Sequence, residues 1–293
     1  MPAQEADQDA HDSDDATATA SSPPPDNTLL LMPAWGSSGG ISGVKIVTVV
    51  PGNSARQLPA VMASYIVIDG MTGAHVALLD GAVLTARRTA AVGALGASLL
   101  ARPDSTKLLI VGAGAVASQL PYAYAAAMPS INHVTVYNRS QEKAQLLVDQ
   151  LIADGFDAVV ATELETAVRS ADIISCATLA REPIILGEWL APGQHLDLIG
   201  SFTPHMREAD DVAVSKAEVY VDVSEALAES GDIASPITAG VLAPDDVRGT
   251  LASLCSADQR PPREPSHITL FKSVGSAISD LACAGVAVPA PEP

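Results

Sequence analysis

The 293-residue sequence predicts an α/β protein, a doubly wound parallel sheet inserted into a discontinuous α+β domain. Three observations carry this expectation. From Lys107 onward, short apolar strand-like runs alternate with helical stretches, as a parallel sheet requires. The first of these runs passes directly into a glycine-rich turn. Strand and helix text also occupies residues 29–100 and again 268–287, so the chain leaves one domain and returns to it.

In order along the chain, residues 1–27 hold Glu5, Asp7, Asp9, Asp12, Asp14, Asp15 and Asp26, no Lys or Arg, and the run Ser21 to Pro25, which together predict a disordered acidic tail. Leu29–Pro33, Val44–Val50, Ser64–Asp69 and His75–Asp80 read as strands, punctuated by Pro51-Gly52-Asn53 and by Gly70–Gly73. An Ala-rich helix follows, with Thr85 as its expected N-cap and Pro103 as its stop. Strands are then expected at Lys107–Val111, His133–Tyr137, Ala158–Ala161, Ile173–Cys176, His195–Ile199 and Val219–Val223, with helices filling the gaps. Residues 268–287 read as a strand and a helix that return to the first domain. The expected division is therefore 28–103 plus 265–288 for one domain and 104–264 for the other.

The chain carries 34 acidic and 16 basic side chains, a formal charge of −18, which argues against a nucleic-acid binder. No run of about 18 uninterrupted apolar residues is present, so no membrane partner is expected. Cys176, Cys255 and Cys283 are odd in number and widely spaced, which predicts neither a disulfide framework nor a metal site and suits a reducing compartment, the cytoplasm.

The strand Leu108 to Val111 runs into Gly112-Ala113-Gly114-Ala115-Val116-Ala117, a GxGxxA turn in the context that dinucleotide binding needs. Gly112 permits the tight turn, Gly114 lets the backbone approach a pyrophosphate, and Ala117 is small enough for helix-on-strand packing. This makes the parallel sheet Rossmann-type. The second strand ends in Tyr137-Asn138-Arg139-Ser140, without the acidic residue that would bind a ribose 2′-hydroxyl. Arg139 and Ser140 instead offer a guanidinium and a hydroxyl to a 2′-phosphate, so NADPH is expected over NADH, with NADH still possible.

Other residues read ambiguously on their own. Lys45 reads as a snorkelling strand residue and Arg88 as a surface helix residue. His205 reads as a solvated loop residue, and His75, His133 and His195 as structural strand starts. Cys176 reads as inert packing, and Glu229-Ser230-Gly231-Asp232 as a helix-end turn with Gly231 at C′.

From about Leu29 to Val286 the chain resembles the ornithine cyclodeaminase and mu-crystallin superfamily. The resemblance rests on Gly43-Val44-Lys45, the stretch from Leu78 through Asp80-Gly81 to Arg87-Arg88-Thr89-Ala90-Ala91, the GAGAVA loop, and Tyr137-Asn138-Arg139-Ser140. It continues in Thr178–Ile184, Gly187-Glu188-Trp189, Pro192-Gly193, Gly200-Ser201, Arg207-Glu208, Glu229–Asp232 and Phe271-Lys272-Ser273-Val274-Gly275. It implies that the discontinuous domain binds substrate and pairs into a homodimer. It also implies that Lys45 and Arg88 are catalytic and bind substrate with Ser201, and that Thr178, Ile199 and Ser273 line the nicotinamide side of a cofactor bound by Gly112, Ala113, Gly114, Ala115, Val116, Asn138, Arg139 and Ser140.

Cyclodeaminases of this superfamily resemble one another in an Asp after the fifth Rossmann strand and a Glu before the Met-Pro of the first strand. Here Phe202 and Leu29–Leu31 occupy those places. The resemblance therefore implies the ketimine-reductase branch. The expected reaction is hydride transfer from NADPH to the C=N bond of a cyclic 2-imino acid such as Δ1-pyrroline-2-carboxylate or Δ1-piperideine-2-carboxylate, giving L-proline or L-pipecolate. An NAD-dependent ornithine cyclodeaminase and a non-catalytic NADPH-binding protein stay open as alternatives. The extra N-terminal helix, strand and carboxylate-binding Arg of relatives are expected to be missing, the acidic tail standing in their place.

Overall fold

A computed structural model describes residues 27–36, 40–59, 61–257 and 261–288. The acidic tail expected before Asn27 lies outside the described residues. The first unit comprises β1 (Thr28–Trp35), β2 (Ile41–Val49), β3 (Val61–Asp69) and β4 (His75–Asp80), an antiparallel sheet in that order. Strand β2 alternates as its residues require: Gly43, Lys45 and Val47 turn inward and are buried, while Val44 and Ile46 face the other way. Helix α1 (Gly81–Leu100) follows at once. Its N-cap is Asp80, whose side chain accepts from the N–H groups of Ala82 and Val83, so the helix begins a turn before the expected Thr85.

The chain continues through β5 (Lys107–Val111), α2 (Leu120–Ala127), β6 (His133–Tyr137), α3 (Gln141–Ala153), β7 (Ala158–Val160), α4 (Leu164–Ser170), β8 (Ile173–Cys176) and β9 (His195–Leu198). It ends with α5 (Asp211–Lys216), β10 (Ala217–Val221), α6 (Ala226–Glu229), α7 (Gly231–Thr238), α8 (Leu251–Ser256), β11 (Ile268–Lys272) and α9 (Ala277–Ala287). Strands β5 to β11 form a seven-stranded parallel sheet in the order β10-β11-β9-β8-β5-β6-β7. Both faces are covered, and so Leu108, Leu109, Ile110 and Val111 are all buried, an unbroken apolar run rather than an alternating one. Successive strands run outward from β5 to β7 and then return to β8 on the other side of β5. That reversal opens a crevice at the carboxyl ends of β5 and β8.

Several expectations need correction. Strand β11 does not rejoin the first sheet; it inserts between β10 and β9, and only α9 packs on β1 and β2. The connection from β8 to β9 has a single 3-10 turn at Gly187–Trp189 rather than an α-helix. Strand β10 starts two residues earlier than Val219, because Ala217 and Glu218 pair with Ile268 and Thr269. The phosphate loop passes through a 3-10 turn at Ala117–Gln119 before α2 begins. Gly231 does follow the Ser230 C-cap of α6, as a helix-end turn predicts, but it is also the first residue of α7, for which Ser230 is the N-cap, and its φ is not positive.

Helix α1 joins the two sheets. A Cβ at Gly93 would strike Asp197 of β9, and one at Gly96 would strike the Phe271 ring of β11, so both glycines are required by close approach to the parallel sheet. The same helix contacts β3 and α9. Arg88, one turn before Gly93, is thereby held between the two sheets.

Candidate active site

Lys45, Arg88 and a third residue that the sequence reading passed over, Asp280 in the first turn of α9, form one buried cluster. Lys45 Nζ lies 2.6 Å from Asp280 Oδ2 and Arg88 Nε lies 2.8 Å from Asp280 Oδ1. Lys45 is 2% exposed, Arg88 7% and Asp280 fully buried. Burial and the neighbouring Arg88 lower the Lys45 pKa, while Asp280 opposes that shift. Tyr65, opposite Lys45 in the β2–β3 pairing, is also buried, and its hydroxyl has no partner among the described residues. Burial and Asp280 push this phenol up to about 12, so it stays protonated.

The cluster abuts the end of the parallel sheet. A Cβ at Gly275, which has φ +89°, would collide with the Nη groups of Arg88, so the guanidinium lies against the segment after β11. Asp222, after β10, holds that segment: its carboxylate accepts from the N–H groups of Val274 and Gly275, at 2.7 Å for the latter. Ser273 begins the same segment. Its hydroxyl is buried without a partner among the described residues, an orphan donor of the kind a bound group satisfies.

The expected cofactor residues all follow carboxyl ends of parallel strands: Gly112 to Val116 after β5, Asn138 to Ser140 after β6, Thr178 after β8, Ile199 after β9 and Ser273 after β11. Gly112 has φ +124°, and a Cβ there would meet the carbonyl of Ala177 at 2.6 Å, so only glycine fits. Its N–H donates to the Tyr137 carbonyl. A Cβ at Gly114 would meet nothing within 4 Å, leaving an open cradle above the exposed Gly114 and Ala115. Ala117 is fully buried at the sheet. These features, with the orphan Ser273 hydroxyl, fit a dinucleotide.

At the far end of this row, Asn138 Nδ2 donates to the Ser140 carbonyl and Ser140 Oγ accepts from the N–H of Lys143, capping α3. Arg139 is exposed. Ser201 departs from expectation: it is fully buried, and its hydroxyl engages the Met206 carbonyl and Ser230 Oγ rather than facing the cleft. Phe202 beside it is exposed. His205 is exposed, and His195 is buried with Nδ1 2.8 Å from Thr269 Oγ1, its pKa lowered to about 3 chiefly by burial. Burial raises the Cys176 thiol well above its usual range, so it is unreactive packing.

Asp280 had one signal in the sequence. It is the only charged residue in Ala277–Ala287.

Known proteins agree with this architecture. Over 259 residues the chain is 43% identical to a Δ1-pyrroline-2-carboxylate reductase of Paracoccus denitrificans, covering 88% of this chain and 82% of the relative. It is 36% identical over 257 residues to the ketimine reductase mu-crystallin of Mus musculus, covering 87% and 78%. A structure of Thermococcus litoralis Δ1-pyrroline-2-carboxylate reductase in complex with NADH and L-proline superposes with a TM-score of 0.83 at 33% identity, covering 89% of this chain and 81% of that one. The family's sequence pattern matches residues 5–288, upstream of the Leu29 start inferred from motifs alone. The chain belongs to the ornithine cyclodeaminase/mu-crystallin family.

Proposed function

We propose that this protein is an NAD(P)H-dependent reductase of cyclic 2-imino acids, acting on Δ1-pyrroline-2-carboxylate or Δ1-piperideine-2-carboxylate. The observation that carries the reading is the placement of the Lys45–Asp280–Arg88 cluster against Ser273–Gly275, beside the crevice that fits a dinucleotide. The relatives named for this chemistry and the Thermococcus complex with NADH and L-proline support it.

A bound nicotinamide supplies the hydride for the imine carbon. The chain's own residues do the rest. Arg88, with Nε committed to Asp280, turns its Nη edge to the substrate carboxylate and orients the ring. Lys45, its pKa lowered by burial and by Arg88, donates toward the ring nitrogen and supplies the proton that accompanies hydride addition. Asp280 balances the two cations and keeps both side chains in place. With Phe202 exposed after β9, no carboxylate stands there to act on a substrate amine, which disfavours cyclodeamination.

At the other end of the crevice, the exposed Arg139 favours NADPH through the 2′-phosphate, and Ser140 keeps its O–H free to donate. The outer face of the first sheet presents Leu29, Leu31, Trp35 and Leu78, each more than 60% exposed, and we assign this face to a second copy of the chain. No helix among the described residues is long and apolar enough to cross a membrane. The unpaired cysteines suit the cytoplasm.

The test is loss of NADPH or NADH absorbance at 340 nm with each cyclic imine, beside ammonia release from L-ornithine with NAD. Imine-dependent oxidation supports the reductase; ammonia release, or cofactor binding without turnover, overturns it.

A further inference from the structure

Glu208 has no part in the reaction above, yet it is fully buried, with its carboxylate at the residues that follow β8 and β9. Its Oε1 accepts from the backbone N–H and the hydroxyl of Thr178 at 2.7 and 2.8 Å, and its Oε2 accepts from the N–H of Gly200 at 2.6 Å. Thr178 follows β8 and Gly200 follows β9, so one carboxylate ties together two strand ends. The two backbones are in close contact: a Cβ at Gly200 would meet the backbone of Thr178 and Glu208 Oε1. On its other side Thr178 borders the phosphate loop, its Cγ2 lying 3.6 Å from where a Cβ of Gly112 would sit.

Glu208 is itself fixed from behind. Asp232 Oδ1 accepts from the N–H groups of Glu208 and Ala209 at 2.7 and 3.1 Å. Lys272 Nζ lies 3.5 Å from Asp232 Oδ2 and donates to the Leu198 carbonyl at 3.0 Å, on the strand that leads to Gly200. Asp232 and Lys272 are also fully buried. The ladder between β8 and β9 ends where the Ile199 N–H donates to the Cys176 carbonyl, and Glu208 is the buried side chain that joins the two segments beyond it, the rigid anchor a preorganised subsite needs.

We propose that Glu208 is a positioning residue for the nicotinamide end of the cofactor, setting the separation of the Thr178 and Gly200 strand ends. The proposal rests on the dinucleotide reading of the crevice. A carboxylate is required because three donors converge on its two oxygens. A glutamine must turn its NH2 toward at least one of them, and an aspartate is too short to reach both strand ends.

The experiment measures binding by the wild type, E208Q and E208D. Each is titrated with whichever of NADPH and NADH the wild type binds, and with the nicotinamide-free counterpart, ADP-ribose 2′-phosphate or ADP-ribose. Thermal unfolding verifies that each variant is folded. The expected result is about tenfold weaker binding of the dinucleotide by both variants, with the nicotinamide-free analogue unchanged within about twofold. Equal weakening of both probes marks a general structural role and overturns the proposal, as does binding like that of the wild type. Wild type that binds neither probe removes the dinucleotide reading itself. If neither variant folds, amide exchange in the wild type decides: slow exchange at Thr178 and Gly200 in the absence of cofactor supports the anchor, and fast exchange at either overturns it.

Discussion

Replacing Asp280 by Asn tests the electrostatics of the site most directly. Asp280 is the counter-ion of both Lys45 and Arg88, at 2.6 and 2.8 Å, and all three are buried. Removing one partner of a buried ion pair costs about 3–5 kcal/mol, because it strands uncompensated charge. Here the variant strands two cations. Lys45, already lowered by burial and Arg88, loses the one group that holds its pKa up and is lowered further, while Arg88 stays charged. With a urea slope of about 3 kcal/mol per molar for a chain of this size, the midpoint should fall by about 1–2 M. The assay is urea unfolding of wild type, D280N, K45M and K45M/D280N as a double-mutant cycle. A coupling of about 2 kcal/mol or more is expected, with the double variant recovering part of the loss. A D280N midpoint within about 0.3 M of wild type, equivalent to about 1 kcal/mol, or an additive cycle, refutes the reasoning.

Four further outcomes follow from the same geometry. Arg139→Ala should lower kcat/KM for NADPH by about 10–100-fold and leave NADH unchanged, since a charged hydrogen bond contributes about 1.5–3 kcal/mol; steady-state kinetics with both cofactors check this. Arg88→Lys loses the planar fork and should raise the KM for the imine by about tenfold or more, while binding of the cofactor alone, followed by nicotinamide fluorescence, is unaffected. Burial raises Asp197 to about 6, so the folded state binds its proton more readily than the unfolded chain does. Wild type should therefore gain about 2 kcal/mol over Asp197→Asn as pH falls from 7 to 4.5, a gain read from denaturation at each pH and lost again as pH rises. Charging the outer sheet face with Leu31→Glu should shift the protein from dimer to monomer in sedimentation without altering its circular dichroism.

Local patterns made much of the parallel sheet legible. The strands beginning at Lys107, His133, Ile173 and His195 announce themselves through short apolar runs, and GxGxxA after β5 locates the crevice. What stayed hidden has physical causes. The N-cap Asp80 is hard to read because Gly81 opens the helix, a poor helix former required there since a Cβ would strike the backbone of β3. Strand order is a property of long-range pairing, and nothing in Ile268–Lys272 says that it will lie between β9 and β10. Asp280 looks like any acidic residue in a first helical turn until α9 is laid against β2. The resemblance implies that Ser201 binds substrate, but its hydroxyl is engaged by Ser230, far along the chain, and by the Met206 carbonyl.

The position of β11 also governs how this protein can be made. A ribosome releases β9 and β10 well before residues 268–272 emerge, and the slot between them can be filled only by that last strand. Until residues 268–272 emerge, the inner edges of β9 and β10 lack their partner, a state that invites pairing with other nascent chains. Asp222, Lys272 and Asp280 reach their partners only at the same late moment. Chains terminated before β11 therefore lack both a complete sheet and a counter-ion for Lys45 and Arg88, so the β11–α9 segment completes both domains in one step.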